Sequence, residues 1–443
     1  MPKIISKVSI ISFSIILYWQ IYENVIFLKP DIYLGVFFQF IVYAYKFLFP
    51  FILFTYALDK NIIHNLLFEN KLFNLLNFTF IMWALISTLF FGELISWIKI
   101  VPLYFFSVGT TLLFIKNYKI SIFVYKCIIF YSVISLIQYI LIHITGFYSS
   151  ENPGSDELTG PFGLFGVTNG NFYLPGLDYP IVRLTGFWKE PSNASAVNFA
   201  SYFLSLYLYK IENKKLWFYV SFCCLIGGLL SISNAGYFAL GGAFFIGFLL
   251  RFNSFSLKYK IIKLLIFTPF IITLIWFALF SRSYFSENQI DSNFIKAISG
   301  IRVNSNNLQD YDPSSGRIDL INKSIEDFGF KSFFGIGLQK FGAGTNIEVS
   351  GSAPFFWLTM TGYVGVLILL LRDFFVFLFF RRFIQKSQNG IYIIQAFIVI
   401  LLQQSIYGVW MDANYLLFIS FVFSVYQNTL FTNKNSYQKC VEL

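Results

Sequence analysis

The chain of 443 residues is 57% hydrophobic and only 12% charged, whereas a soluble domain is roughly 45–50% apolar and about 25% charged. This composition excludes an ordinary water-soluble fold and predicts an integral membrane protein. The 32 Lys and Arg exceed the 22 Asp and Glu, which gives a net charge of +10. Membrane topology has to account for that excess before nucleic acid is considered. The four cysteines have the spacing of neither a metal site nor a disulfide framework.

Apolar runs long enough to cross a bilayer recur along the whole chain, because a spanning helix needs about 20 mostly apolar residues. The run after Lys3 and Lys7 continues past Trp19 without a small-residue cleavage site, so we expect the first helix to remain as an anchor. The predicted fold class is an all-α polytopic membrane protein, a single integral membrane domain over residues 1–443 with about 12 transmembrane helices. The predicted spans are 8–27, 33–58, 72–91, 94–115, 120–144, 192–209, 216–233, 235–250, 261–281, 353–380, 391–409 and 413–432.

The basic residues predict how these helices are oriented. With the N-terminus placed in the cytoplasm, 18 Lys and Arg residues fall on the cytoplasmic side, while the short outer loops hold only Lys29. This asymmetry is a strong positive-inside signal. It predicts that both termini are cytoplasmic, and it explains most of the basic excess without nucleic acid as a partner.

Two segments interrupt the helical rhythm, and both are predicted on the extracytoplasmic face. Residues 145–191 are rich in Gly, Pro, Asn and Asp, and residues 282–352 form a polar loop of about 70 residues. Loops of this length are usually functional or disordered. Because long outer loops escape the positive-inside rule, the basic residues of the second loop are free to bind an anionic ligand.

The first polar constellation lies where the first loop enters the sixth predicted helix. Glu190 and Pro191 suit the first turn of a helix, and a capping role explains both. Capping does not explain Arg183, Lys189 and the two aromatic residues between them. The guanidinium of Arg183 offers a planar fork of donors, and the backbone N–H groups of a helix start add to it, which favours phosphate as a ligand. The segment reads Arg183-Leu-Thr-Gly186-Phe-Trp188-Lys189-Glu190-Pro191.

A second constellation lies in the large loop. Its glycines permit a tight turn, and because Gly-x-Gly alone is weak evidence for phosphate binding, a purely structural turn is the alternative. In the tenth predicted helix, Gly362 and Gly365 most simply allow close helix packing. The loop segments are Ser314-Ser315-Gly316-Arg317-Ile318-Asp319 and Phe333-Phe334-Gly335-Ile336-Gly337-Leu338-Gln339-Lys340.

In their order and spacing, these motifs resemble those of the O-antigen polymerase (Wzy-type) and O-antigen ligase superfamily of bacterial envelope glycosyltransferases. The family pattern runs Arg-x-x-Gly-x-x-x-x-Pro, Ser-Gly-Arg, aromatic-Gly-x-Gly and Gly-x-x-Gly, and it is matched by the segments 183–191, 315–317, 334–337 and 362–365. Ligase-like members carry a His-Asn pair where this chain has Ser350-Gly351-Ser352-Ala353-Pro354, and many relatives carry Ser-Arg where it has the turn 231–236. The resemblance implies a GT-C-like fold and favours the polymerase over the ligase.

The resemblance further implies transfer of a polyprenyl-pyrophosphate-linked glycan onto the next lipid-linked repeat unit, at the outer face of a bacterial inner membrane. Arg183 and Arg317 would bind the leaving pyrophosphate, so no metal or cofactor is expected. Glu190 is the nearest base candidate in sequence, and Asp319 and Asp412 are weaker ones. The expected partners are lipid-linked oligosaccharide, membrane lipids and a chain-length regulator. The residues expected to bind substrate are Gly186, Trp188, Lys189, Gly316, Asp319, Gly335, Gly337 and Lys340.

Other polar residues in or near the spans have structural explanations beside functional ones. Lys46 and Lys99 lie close enough to span ends to reach the interface. Arg372 and Asp373 are adjacent in a long span and point about 100° apart, so we expect each to have its own partner. His143 suits an interfacial position, as do the aromatic residues of the outer segments, which can also stack on sugars.

Two other functions stay open from the sequence. One is the ligase, which moves a finished chain to a different acceptor and would need a base in place of the family histidine. The other is a flippase or transporter of lipid-linked oligosaccharide. A transporter is expected to line its path with charge deep in the spans, and in this sequence such charges are few.

Overall fold

The computed structural model describes residues 2–22, 35–58, 71–145, 184, 188, 191–251, 302–303, 310–311, 333–338, 353–387, 389–406 and 412–441. In this part the chain is helical apart from turns and one short antiparallel pair, β1 (Arg302–Val303) with β2 (Asp310–Tyr311). The helices are α1 (Pro2–Tyr22), α2 (Gly35–Ala57), α3 (Lys71–Phe91), α4 (Leu94–Ile98), α5 (Val101–Lys116), α6 (Tyr118–Thr145), α7 (Pro191–Glu212), α8 (Lys215–Leu230), α9 (Asn234–Arg251), α10 (Ala353–Lys386), α11 (Gly390–Ile406) and α12 (Ala413–Val441).

The apolar helices are those of a membrane protein. Among the described residues, four helical stretches are long and apolar enough to cross a membrane by length and composition: Phe73–Phe91, Leu94–Lys116, Tyr118–Leu141 and Phe356–Ile384. Shorter apolar helices accompany them at Lys7–Trp19, Ile41–Ala57, Lys215–Leu230, Ala235–Arg251 and Gly390–Ile406.

Most of the predicted spans fall on these helices, but some differ in extent or shape; α12, for example, continues past its predicted end at residue 432 to Val441. The predicted span 94–115 is divided into α4 and α5, because the chain turns through Lys99 and Ile100 and starts again with Pro102 in the first turn. Proline suits that position since it has no N–H to donate. Helix α10 continues past its predicted end at residue 380 and bends at Gly362. The predicted span 261–281 lies outside the described residues.

Contacts between helices group several helix ends at one end of the bundle, which we call the loop end. Trp19 Nε1 near the end of α1 donates to Asn414 Oδ1 at the start of α12 over 2.6 Å. Gln403 Nε2 near the end of α11 donates to Asn193 Oδ1 at the start of α7 over 2.9 Å. The loop end therefore contains the ends of α1 and α11 and the starts of α7 and α12.

The opposite end of the bundle, which we call the basic end, carries clustered charge. Glu212 pairs with Lys126 at 2.6 Å and with Lys214 at 3.4 Å. Burial tends to raise the pKa of Glu212, but hydrogen bonds from Lys126 and Trp217 and the two positive charges lower it below its ordinary value. Arg251 ends α9 at this same end. The grouping of basic residues agrees with the charge asymmetry of the sequence, while the membrane side that this end faces stays a prediction.

Helices α3 and α10 pack side by side and share a separate small core. In it, the rings of Phe80 and Trp357 meet edge-on, 4.9 Å between centroids. Helix α10 runs parallel to α12, because Tyr415 bonds Asp373 and, further along both helices, Phe379 contacts Phe423. The first turns of α10 therefore point towards the loop end. The outward faces of α3 and α10 carry exposed apolar side chains that suit lipid: Leu89, Phe90, Phe91, Tyr363, Leu367, Leu370 and Phe374.

Candidate functional site at the loop end

The structure describes three of the residues predicted to form the site, namely Trp188, Gly335 and Gly337. It also describes Asp412, one of the weaker base candidates. The predictions for the remaining site residues lie outside the described residues: Arg183, Gly186, Lys189, Glu190, Gly316, Arg317, Asp319 and Lys340.

Trp188 lies at the loop end, three residues before α7, and is only 1% exposed. Its ring meets the ring of Trp19 edge-on, with 6.3 Å between ring centroids. Four residues earlier, the backbone N–H of Leu184 donates to the carbonyl of Leu230 at the end of α8 over 3.0 Å. The two described residues of the first motif segment therefore rest against α1 and α8.

Gly335 and Gly337 form a turn that is wedged between α3 and α10. Both have φ of 72°, a left-handed conformation that glycine adopts without steric cost. A Cβ at Gly335 would lie 2.5 Å from the carbonyl carbon of Met360, and one at Gly337 would lie 2.6 Å from the backbone nitrogen of Gly92. Backbone conformation and limited space thus both require glycine, so the structure explains why these two residues are glycines. Substrate binding by these two residues stays a prediction.

This turn is fastened where α10 bends. Gly362, with φ of 68° and ψ of −172°, interrupts the helical hydrogen bonds of the preceding carbonyls. The carbonyls of residues 359–361 accept hydrogen bonds in order from Ile336 N at 2.9 Å, Ser87 Oγ at 3.0 Å and Trp83 Nε1 at 2.8 Å. Because backbone polar groups in a membrane need partners within the protein, α3 and the turn replace the bonds that the bend removes.

The two glycines of α10 predicted to allow close packing play different parts. Gly362 bends the helix, which differs from the prediction. A Cβ at Gly365 would lie 1.9 Å from Thr361 Oγ1 of the same helix but at an ordinary contact distance, 3.4 Å, from Cδ1 of Trp83 on α3. The motif therefore serves the bend of α10 at its first glycine and the packing of a side chain of α10 itself at its second, so neither glycine is required by close helix packing.

A buried ion pair joins α10 to α3 and α12. Arg372 is 0% exposed, and its Nε donates to Asp373 Oδ1 over 2.8 Å. Its Nη1 donates to Asn77 Oδ1 over 3.2 Å, and its guanidinium lies 4.4 Å from the ring centroid of Tyr415. The Tyr415 hydroxyl donates to the same oxygen of Asp373 over 2.6 Å. The two charged residues have partners on other helices, as expected, and also bind each other, which was not expected.

Asp412 caps the first turn of α12. Its Oδ1 accepts the backbone N–H of Tyr415 at 2.8 Å, and its Oδ2 accepts a hydrogen bond from Gln404 Nε2. The residue is half-buried, but its carboxyl group is desolvated by the surrounding protein, which raises the pKa of Asp412 to about 7 despite these hydrogen bonds. The cap is a structural reason for an acid here, and a pKa near neutrality also suits acid–base catalysis.

Two deeply buried polar atoms at the loop end have no hydrogen-bond partner within the part of the chain that the structure describes. They are Trp188 Nε1 and Gln404 Oε1, each on a side chain that is 1% exposed. Gln404 binds Asp412 directly, and Trp188 reaches it through Trp19 and Asn414. We call these five residues the loop-end cluster: Trp19, Trp188, Gln404, Asp412 and Asn414.

Comparison of the chain with protein-family models, with curated proteins and with solved structures finds no match. In the described part of the chain, no group of three or more His, Cys, Asp and Glu side chains could hold a metal ion. What the loop end does chemically therefore has to be inferred from its own residues.

Sequence reasoning missed Asn77, Gln404 and Tyr415 as partners of charged side chains. A signal exists for two of them, because Asn77 and Gln404 are polar residues within otherwise apolar helices, where such residues usually bind across helices. Tyr415 carries no comparable signal, since tyrosine is frequent throughout this chain.

Proposed function

We propose that the protein is a polysaccharide polymerase that joins polyprenyl-pyrophosphate-linked repeat units of an O-antigen or a capsule-like polymer. The observation that carries this proposal is that Trp188, one of the described residues of the first motif, belongs to a buried polar cluster at one end of an apolar helix bundle. An enzyme with lipid-linked substrates needs this division, because the polyprenyl chains stay in the bilayer while the sugars and pyrophosphate react at a polar end.

The proposal includes a specific membrane arrangement. It places about 12 spans in a GT-C-like fold in a bacterial inner membrane, with both termini in the cytoplasm and the loop end outside. Two observations support it: the basic residues gather at the end opposite the loop end, and the first turns of α10, which follow the large loop, point towards the loop end.

In the proposed reaction, Arg183 and Arg317 bind the pyrophosphate of the donor. Their guanidinium groups form charge-assisted hydrogen bonds to phosphate oxygens and stabilise the charge that develops on the leaving group. Lys is a poor substitute because it lacks the planar fork. The order of their motifs in the sequence supports these roles.

Deletion of the gene, followed by electrophoresis of the surface polysaccharide, tests the proposed function. A cell without the polymerase should export and attach a single repeat unit, so long chains should disappear while the one-unit band remains. Complementation with the wild-type gene should restore the long chains. Long chains of normal length in the deletion strain would refute the proposal.

A transporter of lipid-linked oligosaccharide is the second candidate, and one observation favours it. Arg372 is a fully buried charge within a long apolar helix, which is what a transport path needs. The same deletion separates the candidates, because loss of a flippase removes every attached unit, including the single-unit band. The same complete loss is expected of the related ligase.

A further inference from the structure

The loop-end cluster contains both a hydrogen-bond donor and a hydrogen-bond acceptor that can bind a ligand. Trp188 Nε1 only donates and Gln404 Oε1 only accepts, and within the described residues both are buried without a partner. Buried polar atoms are nearly always paired in native proteins. A ligand that completes this cluster must therefore supply an acceptor to Trp188 and a donor to Gln404. Sugar hydroxyls do both, since each can donate and accept.

Asp412 differs from the other carboxylates whose side chains the structure describes. Asp373 binds Arg372 and Tyr415, Glu212 lies among cations at the basic end, and the side chain of Glu93 is exposed. Asp412 alone among them is held at the loop end between neutral donors, a backbone N–H and an amide. No cation in the described residues forms an ion pair with it, so its negative charge is available to attract a proton.

We propose that Asp412 accepts the proton of the attacking acceptor hydroxyl, while Trp188 and Gln404 bind other hydroxyls of the acceptor glycan. This assignment rests on the proposed polymerase function. As the hydroxyl proton moves to Asp412, its oxygen forms a bond to the anomeric carbon of the donor. The bond from that carbon to the pyrophosphate oxygen breaks, and the polyprenyl pyrophosphate leaves with the electron pair. Asp412, which is partly exposed, then releases the proton to water.

The expected pH dependence follows from the requirement that Asp412 be ionised in order to accept a proton. Desolvation raises the pKa of Asp412 to about 7, and a base must be ionised, so kcat/KM should fall about tenfold for each pH unit below that value. Among the described residues, the charged or titratable side chains with a contact to the first turn of α12 include Arg372 and Asp373 of α10, both bound to Tyr415. Helices α7 and α11 contribute neutral amides. The sequence neighbours of Trp188 that carry charge are Arg183, Lys189 and Glu190.

The experiment measures polymerisation of purified lipid-linked repeat units by the full chain in nanodiscs between pH 5.5 and 9. Asp412→Asn keeps a good N-cap residue but cannot accept a proton, so kcat should fall about 10²- to 10⁴-fold and the acid limb of the pH profile should disappear. Trp188→Phe keeps the ring against Trp19 and removes the N–H, so KM should rise severalfold while kcat changes little. Glu93→Gln, the same type of change at the exposed carboxylate, should match wild type.

The outcomes separate this assignment from the function on which it rests. A wild-type protein that forms no polymer would refute both. Polymerisation by wild type and by Asp412→Asn at the same kcat, with the same acid limb, would refute only the role of Asp412. Thermal unfolding in the same nanodiscs verifies that each variant is folded. If Asp412→Asn does not fold, Asp412→Ser is used in its place, because serine is also a good N-cap residue and cannot act as the base. Unchanged kinetics of that replacement would equally overturn the assignment.

Discussion

Arg372 shows how a full charge is kept inside an apolar bundle. Its guanidinium is wholly buried, yet it bonds the carboxylate of Asp373 and the amide of Asn77 and stacks over the ring of Tyr415. An isolated buried charge is very costly, whereas a paired and hydrogen-bonded one is tolerated. The pair therefore contributes less to net stability than to fixing how α3, α10 and α12 meet.

Replacing Asp373 by Asn should destabilise the protein strongly, because the charge of Arg372 then stays buried without its counter-ion. The expected cost is about 3–5 kcal/mol, seen as a lower thermal unfolding midpoint in one fixed detergent. The double variant with Arg372→Met removes both charges and should recover part of this loss. Glu212→Gln breaks a more exposed pair and should cost about 1 kcal/mol or less. Equal midpoints for Asp373→Asn and Glu212→Gln would contradict the buried-pair account.

At the scale of elements, the bend in α10 and the glycine turn form one unit. The bend frees carbonyls, and the turn together with Ser87 and Trp83 of α3 binds them. The backbone N–H of Glu93 also donates to the carbonyl of Leu338, over 2.7 Å. The turn of six residues is thereby hydrogen bonded to α3, to α10 and to the residue that precedes α4.

Gly337→Ala should loosen this unit. The left-handed backbone alone costs a residue with a Cβ about 1–2 kcal/mol, and the new Cβ would overlap the backbone of Gly92, which adds to that cost. We expect a lower unfolding midpoint and faster proteolysis within the large loop. Ile336→Val serves as the control, because it changes a side chain between the two glycines without altering either glycine or its left-handed backbone conformation. An alanine variant as stable as this control would show that the turn is not under steric constraint.

The sequence predicts single helices well and contacts between helices poorly. Helix α3 was expected at 72–91 and is found at Lys71–Phe91, because its apolar run has a lysine at one end and a glycine at the other. The bend at Gly362 has no such signal, since glycine also serves close packing. The bond between Asn77 and Arg372 joins residues 295 positions apart, and Gln404 meets Asp412 only because α11 and α12 are antiparallel. Such pairs depend on packing, which hydrophobic pattern does not encode.

At the scale of the whole molecule, charge and polarity divide the bundle into two ends. The basic end holds Lys126, Glu212, Lys214 and Arg251, while the loop end holds the cluster around Asp412. Cytoplasmic loops carry an excess of Lys and Arg because basic segments are poorly translocated. Once one end of the bundle is assigned to a side of the membrane, the directions of the helices that run between the two ends follow from that assignment.

Cysteine labelling tests that choice with one position at each end. The four native cysteines, Cys127, Cys223, Cys224 and Cys440, are first replaced by serine or alanine. A cysteine at Glu93, which is exposed at the end of α3 that contacts the glycine turn, should react with a membrane-impermeant maleimide in intact spheroplasts. A cysteine at Lys214, whose side chain is 66% exposed at the basic end, should react only after lysis, because the positive-inside rule places it in the cytoplasm. The reverse pattern would invert the orientation and place the loop-end cluster on the side where lipid-linked repeat units are not polymerised.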